Sequence, residues 1–213
     1  MFFEYHRCLI IDPATTSGYC IMKHFQDLEG EFDLEKNIFS GECVIETPQF
    51  FTATLDKNFS GDPTGRICNL VYDFFKKIIV RESINFVAIE QYMFSRRSST
   101  GSGLNVAVRA AIEMLCDSMK IRCLVLGISF WKKTIAGRSI PTKEQKILWK
   151  GKANKMFIVQ ALKEKYGIEF PEKIKNEKGK LVNFKYDLSD VVAQAICVSQ
   201  KFFSSKAFFE FEW

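Results

Sequence analysis

The chain is short of the residues that soft metals, disulfide frameworks and membranes need. Histidine occurs only at His6 and His24, and none of the seven cysteines (8, 20, 43, 68, 116, 123 and 197) stands in a C-x-x-C pair. A zinc site would therefore need an unusual ligand set. Most of the cysteines lie in apolar runs such as Arg122-Cys123-Leu124-Val125-Leu126, the setting of reduced, buried thiols. A membrane-spanning helix needs roughly eighteen or more consecutive apolar residues, and no such run is present. The opening Met1-Phe2-Phe3-Glu4-Tyr5-His6-Arg7 lacks the basic-then-apolar order of a secretory signal. These absences predict a soluble intracellular protein without a membrane partner, and they direct any metal to oxygen ligands.

What is present is a core and an uneven charge. Hydrophobic residues make up 47% of the 213 residues and charged residues 26%, which suits one globular domain over 1–213 and argues against general disorder. The net charge of +5 hides two blocks of opposite sign. Between Lys120 and Lys180 stand sixteen Lys/Arg against five Glu, whereas Ile21 to Asp56 carries eight acids against two lysines. A basic half fits a polyanionic partner, because phosphates neutralised by cations release their counterions. A solvated lysine-rich surface is the plainer reading of the same charges.

Hydrophobic periodicity outlines the elements. Cys8-Leu9-Ile10-Ile11 is β-rich and stops at Asp12-Pro13, where proline ends the ladder. Tyr19 to Lys23 and Glu42 to Glu46 read as two further strands, with an acidic loop between them. From Gly65 to Glu82, Ile67, Leu70, Val71, Phe74, Phe75, Ile78 and Ile79 recur at helical spacing. Ile84 to Ile89 reads as a buried strand ending at Glu90, a glycine-rich polar loop leads to a helix over Leu104 to Met119, and Arg122 to Leu126 reads as another strand. A short helix around Phe130 to Lys133, a basic connection, a helix over Ala153 to Tyr166, an exposed turn-containing insertion and a closing apolar helix over Asp187 to Phe203 complete the chain. This order predicts an α/β fold, a mixed central sheet with helices on both faces.

Acids interrupt this pattern at three places. Asp12 and Glu90 end apolar strands, and ends of neighbouring strands converge at one edge of an open sheet. Asp187 and Asp190, at i, i+3, share one face of the last helix, followed there by Ala193 and Gln194, small or polar enough to approach the sheet. Read singly, Asp12 starts a turn, Asp187 caps a helix and Glu90 marks a strand exit. Together, four carboxylates at one point would repel and push their own pKa values upward unless cations sat between them. Two Mg²⁺ or Mn²⁺ ions roughly 3.5–4 Å apart are the natural occupants, and such pairs hydrolyse phosphodiesters.

These residues carry a resemblance. Ile11-Asp12-Pro13-Ala14-Thr15-Thr16-Ser17-Gly18-Tyr19 resembles the first-strand signature of the RuvC family of Holliday-junction resolvases, and Ala88-Ile89-Glu90-Gln91 its second acidic motif. Trp131-Lys132-Lys133-Thr134-Ile135-Ala136-Gly137 is similar to the family's lysine-bearing segment, and Asp187-Leu188-Ser189-Asp190-Val191-Val192-Ala193 to its closing acidic helix. The motifs follow the family's order over nearly the whole chain. Ala14 stands in place of a glycine, the first turn is one residue short, and 138–150 and 172–183 are insertions relative to compact bacterial members. A viral or phage branch would fit.

The resemblance implies a ribonuclease H-like fold and a Mg²⁺-dependent endonuclease that resolves four-way DNA junctions, in the cytoplasm or at sites of DNA replication. It implies that Asp12, Glu90, Asp187 and Asp190 hold the catalytic ions and that Lys155, or else Lys152, approaches the scissile phosphate. It also implies a homodimer, whose symmetry would match paired strands to cut, with Val106, Ala107, Ala110, Ala111 and Met114 at the dimer face. Packing on the sheet is the other reading of that helix. Tyr92 and Phe94 beside Arg96 and Arg97 place aromatics next to cations, as expected of a surface that grips phosphates and unstacks bases, although a ring there also fits a core. Lys132, Lys133, Lys152 and Lys155 are the phosphate-binding candidates, the last two at a helix start where backbone N–H groups favour anions.

Two other functions share parts of the pattern. An actin-like or sugar-kinase-type ATPase also opens with an Asp and a Thr-containing turn, but no second glycine-rich phosphate loop is found and Asp187 and Asp190 would have no role. A non-catalytic scaffold for branched DNA would keep the fold and lose the cleavage.

Overall fold

A computed structural model of the chain describes residues 6–13, 18–24, 38–40, 64–91, 99–170, 174–175, 181–182, 185–202 and 208–210. Its centre is a four-stranded sheet of β1 (His6–Asp12), β2 (Gly18–His24), β4 (Phe86–Glu90) and β5 (Arg122–Leu126). The spatial order is β2-β1-β4-β5. The β1–β2 pair is antiparallel, and β4 and β5 join β1 in parallel. The short β3 (Ile38–Ser40) pairs in parallel with β8 (Phe208–Glu210), a contact between segments far apart in the chain that the sequence pattern does not signal.

Side chains alternate across a strand, and here both faces are apolar. Leu9, Ile11, Tyr19, Ile21, Val87 and Ile89 pack against α1 (Thr64–Arg81) and α2 (Ser99–Ser118). Cys8, Ile10, Cys20, Met22 and Ala88 point the other way, into a second cluster with α3 (Ile128–Ala136), α5 (Ala153–Tyr166) and α6 (Lys185–Phe202). On α1 the buried residues are Ile67, Val71, Phe75, Ile78 and Ile79, the stripe its periodicity predicts. Each such side chain contributes about 1.5–3 kcal/mol of transfer free energy when fully buried.

Glycine ends two helices on the second face. Gly137 (φ 73°) follows α3 and Gly167 (φ 69°) follows α5, each in the left-handed conformation that costs glycine no Cβ clash, and each donates its N–H back to the last turn. The basic connection after Gly137 contains a helix the sequence reading lacked, α4 (Lys143–Trp149). Within 172–183, β6 (Ile174–Lys175) and β7 (Leu181–Val182) form a small antiparallel pair. The strand expected over 42–46 lies outside the described residues. All six described cysteines are free thiols, four of them buried. No described helix is long and apolar enough to cross a membrane.

Candidate metal and phosphate site

Register brings the first two acids together. In the parallel β1–β4 pair, Ile10 stands opposite Ala88 and Ile11 opposite Ile89, so Asp12 and Glu90 form the next level. By alternation both follow Ile10 and Ala88 onto the face covered by α3, α5 and α6. Glu90 is the last residue of its strand, and Pro13 stops β1 one residue after Asp12.

The third acid arrives from α6. Every residue of this helix from Ser189 to Ser199 is buried, and Ser189, Asp190, Gln194 and Ser199 are the buried polar residues among those described. Asp190 and Gln194 stand one turn apart, hence on one face. Gln194 Nε2 donates to Glu90 Oε2 at 2.9 Å, which locks that face to the end of β4. Trp131 Nε1, from α3, donates to the same oxygen at 3.0 Å. From the first turn of α5, Lys155 Nζ donates to Asp190 Oδ2 in an ion pair.

Burial dominates the electrostatics of these acids. Burial raises the Glu90 carboxyl from an ordinary 4.5 to about 8, reinforced by the negative Asp12 and Asp190 and only partly opposed by Lys132 and Lys155. Burial also raises Asp190, against the pull of Lys155 and Lys132. Two acceptors in the same place, Asp190 Oδ1 and Gln194 Oε1, are buried without a partner. Leaving an acceptor in that state costs roughly 1–3 kcal/mol.

These features fit a hard divalent cation, which takes oxygen donors and relieves repulsion between carboxylates. Asp12, Glu90 and Asp190 supply oxygens only, and no histidine or cysteine is among the groups that shift Glu90 or Asp190. Among the described residues no group of three or more Asp, Glu, His or Cys side chains stands close enough together to hold a metal ion by itself. Asp187 lies on α6 one turn before Asp190, and its side chain is outside the described set.

The basic candidates surround this point unevenly. The Lys132 ammonium sits 5.1 Å from the Trp131 ring centre and 5.9 Å from that of Phe157, within electrostatic reach of Glu90 and Asp190. Lys133, its neighbour on α3, is exposed. Lys152 is exposed at the end of a single 3-10 turn, Lys150–Lys152, that runs directly into α5. Tyr92, Phe94, Arg96 and Arg97 lie outside the described residues. On α2, Ala111 is buried in the sheet-facing core, the Ala107 carbonyl accepts from Cys68 of α1, and Met114 is 67% exposed.

The Glu90 contacts of Trp131 and Gln194 were not legible as such. A lone glutamine inside Val191-Val192-Ala193-Gln194-Ala195-Ile196 is the one available signal, because a polar side chain in a buried helix face needs a partner.

No family model matches the chain, and no curated protein matches it by sequence. The fold does have solved counterparts. The Thermus thermophilus RuvC structure is 16% identical, with a TM-score of 0.51, over 91% of this chain and 93% of that one. T. thermophilus RuvC in complex with Holliday junction substrate gives the same identity and TM-score over 93% of this chain and 94% of that one. The mixed sheet with helices on both faces is thus the ribonuclease H-like fold of RuvC, to which this chain is similar in structure across nearly its whole length.

Proposed function

We propose that this protein is a divalent-cation-dependent endonuclease that resolves four-way DNA junctions. The observation that carries the reading is that Asp12, at the neighbouring strand end, and Asp190, from α6, both act electrostatically on the partly buried Glu90 at the end of β4. The similarity in fold to a RuvC solved with Holliday junction substrate supports DNA as the polyanion.

In this reading Asp12, Glu90 and Asp190 hold Mg²⁺ or Mn²⁺, with Asp187 as the fourth acid. Once bound, the ions, two by analogy with other phosphodiester-cleaving sites, lower the pKa of water and neutralise charge on the phosphate and the leaving oxygen. The chain's own residues hold and orient. Lys155, paired with Asp190 and partly exposed, is placed to exchange that partner for a phosphate oxygen. Lys132, Lys133 and Lys152 bind flanking phosphates, and the segment with Tyr92, Phe94, Arg96 and Arg97, which follows Glu90 directly, meets the junction centre. A homodimer would present two such sites to the two symmetry-related strands.

The test is incubation of the purified chain with labelled four-way, flap and linear duplex DNA in Mg²⁺ and in Mn²⁺. Paired nicks in the four-way substrate, abolished by EDTA, are expected. Tight junction binding without cleavage in any divalent metal would replace this reading with that of a scaffold.

A further inference from the structure

Two neutral donors from different elements converge on one oxygen of Glu90. Trp131 Nε1 approaches Oε2 at 3.0 Å from α3, and Gln194 Nε2 approaches it at 2.9 Å from α6. Both residues are fully buried. Glu90 Oε1 accepts no hydrogen bond from any described residue. The carboxylate is thereby held in one orientation, with Oε2 engaged twice and Oε1 left without a donor among the described residues. Asp190 is treated differently: its pairing is with the charged, partly exposed Lys155.

Gln194 is costly where it stands. Its Nε2 is satisfied by Glu90, but its Oε1 is buried and unpartnered, in a buried stretch of helix whose neighbouring residues Val191, Val192, Ala195 and Ile196 are apolar. An apolar side chain of similar length would fill that space without stranding an acceptor. A residue kept against stability at the contact point of an acid has its use in that contact.

We propose that Trp131 and Gln194 are positioning residues that fix which oxygen of Glu90 is offered to a divalent cation. The proposal rests on the nuclease reading and deepens it. Neutral donors suit the task, because they hold a carboxylate without supplying a positive charge that would compete with the ion. Trp131 adds stiffness, since its ring is wedged under the Lys132 ammonium in the core cluster.

The test uses the full chain and three variants: Trp131→Phe, which removes the N–H and keeps an aromatic ring, Gln194→Met, which removes both polar atoms at similar length, and their combination. Cation affinity is read by calorimetry with Mn²⁺, melting temperature without metal, and the indole N–H resonances by NMR during Mg²⁺ titration. With tryptophan at 131, 149 and 213 only, the Trp131 signal is assigned by its loss in Trp131→Phe. Each single variant should bind the cation about 10-fold more weakly, the lower end of the range for residues that orient ligands. Cleavage should fall in parallel and recover at higher Mg²⁺, with junction binding unchanged. Gln194→Met should melt at or above the wild-type temperature, and the Trp131 resonance should shift with Mg²⁺.

A wild type that cuts and binds the cation, beside variants of unchanged affinity, overturns the positioning roles alone. A loss of affinity that only tracks a lowered melting temperature does the same. A wild type that neither binds a divalent cation nor cuts DNA overturns the nuclease reading together with this proposal.

Discussion

The two faces of the central sheet are both sealed by helices, yet they are built to different ends. Against α1 and α2 the buried residues among those described are all hydrophobic, from Leu9 and Ile11 to Ile112 and Leu115. Against α3, α5 and α6 an apolar layer of similar extent also encloses Asp190, Gln194 and the end of Glu90. The same strands serve both, because alternation sends Ile11 and Ile89 one way and Asp12 and Glu90 the other. A face made only of hydrocarbon contributes stability. A face that spends burial on acids gives some of that stability up, and the deficit is expected where a ligand restores it.

The largest effects should separate these faces by kind. Asp12→Asn or Glu90→Gln is expected to reduce junction cleavage by at least about 10³-fold, the upper end of the loss on removing one preorganised electrostatic partner. Junction affinity and the melting temperature without metal should hold or rise, since a repelling charge has gone. A single-turnover cleavage assay beside a binding titration checks this, and full activity in either variant would end the division of roles. On the opposite face Phe75→Ala should destabilise by about 3–5 kcal/mol, the range for truncating a buried phenylalanine. Its remaining folded fraction should bind Mn²⁺ with wild-type affinity; denaturant melts with and without the ion would reveal any coupling between the layers.

A smaller effect concerns pH. In the unfolded chain the Glu90 carboxyl loses its proton near 4.5, and in the fold near about 8. Between those values the folded state holds the extra proton, so this group makes stability fall as pH rises, and it adds nothing further above the window. Without metal, melting temperature should therefore decline from pH 5 to pH 8, and Glu90→Gln should flatten that slope. Mg²⁺ should raise the melting temperature more at pH 8 than at pH 6, because at the higher pH fewer protons must leave to admit it. A Mg²⁺ effect equal at both pH values would count against Glu90 as a ligand.

How much of this was legible in the sequence follows from the range of each interaction. Asp12 and Glu90 stand out because an apolar strand stops at each, and Asp190 because an acid interrupts a buried helix; such signals are local. The pattern on α1 and the span of α5 were likewise readable from periodicity and terminal glycine. Trp131 and Gln194 find Glu90 across 41 and 104 residues, and nothing near either one in sequence names that partner. The parallel pairing of β3 with β8 joins two three-residue strands, too short for alternation to register.

The helix α4 failed to register for a different physical reason, and it provides the mildest test of the two-face comparison. None of its residues is buried, and Ile147 and Leu148 are 77% and 71% exposed, so there is no apolar stripe facing a core. What holds its start is local: Thr142 Oγ1 accepts from the Gln145 N–H at 3.2 Å while Gln145 Oε1 accepts from the Thr142 N–H at 3.0 Å, a reciprocal cap. Thr142→Ala should cost about 1 kcal/mol, the usual worth of such a cap. Because α4 gives the core only its partly buried Trp149, that loss should appear as faster amide exchange from Lys143 to Trp149, leaving the global melting temperature and Mn²⁺ affinity unchanged. If the whole domain instead melted earlier, α4 would belong to the cooperative core on the acidic face, and that face would extend further than its buried residues suggest.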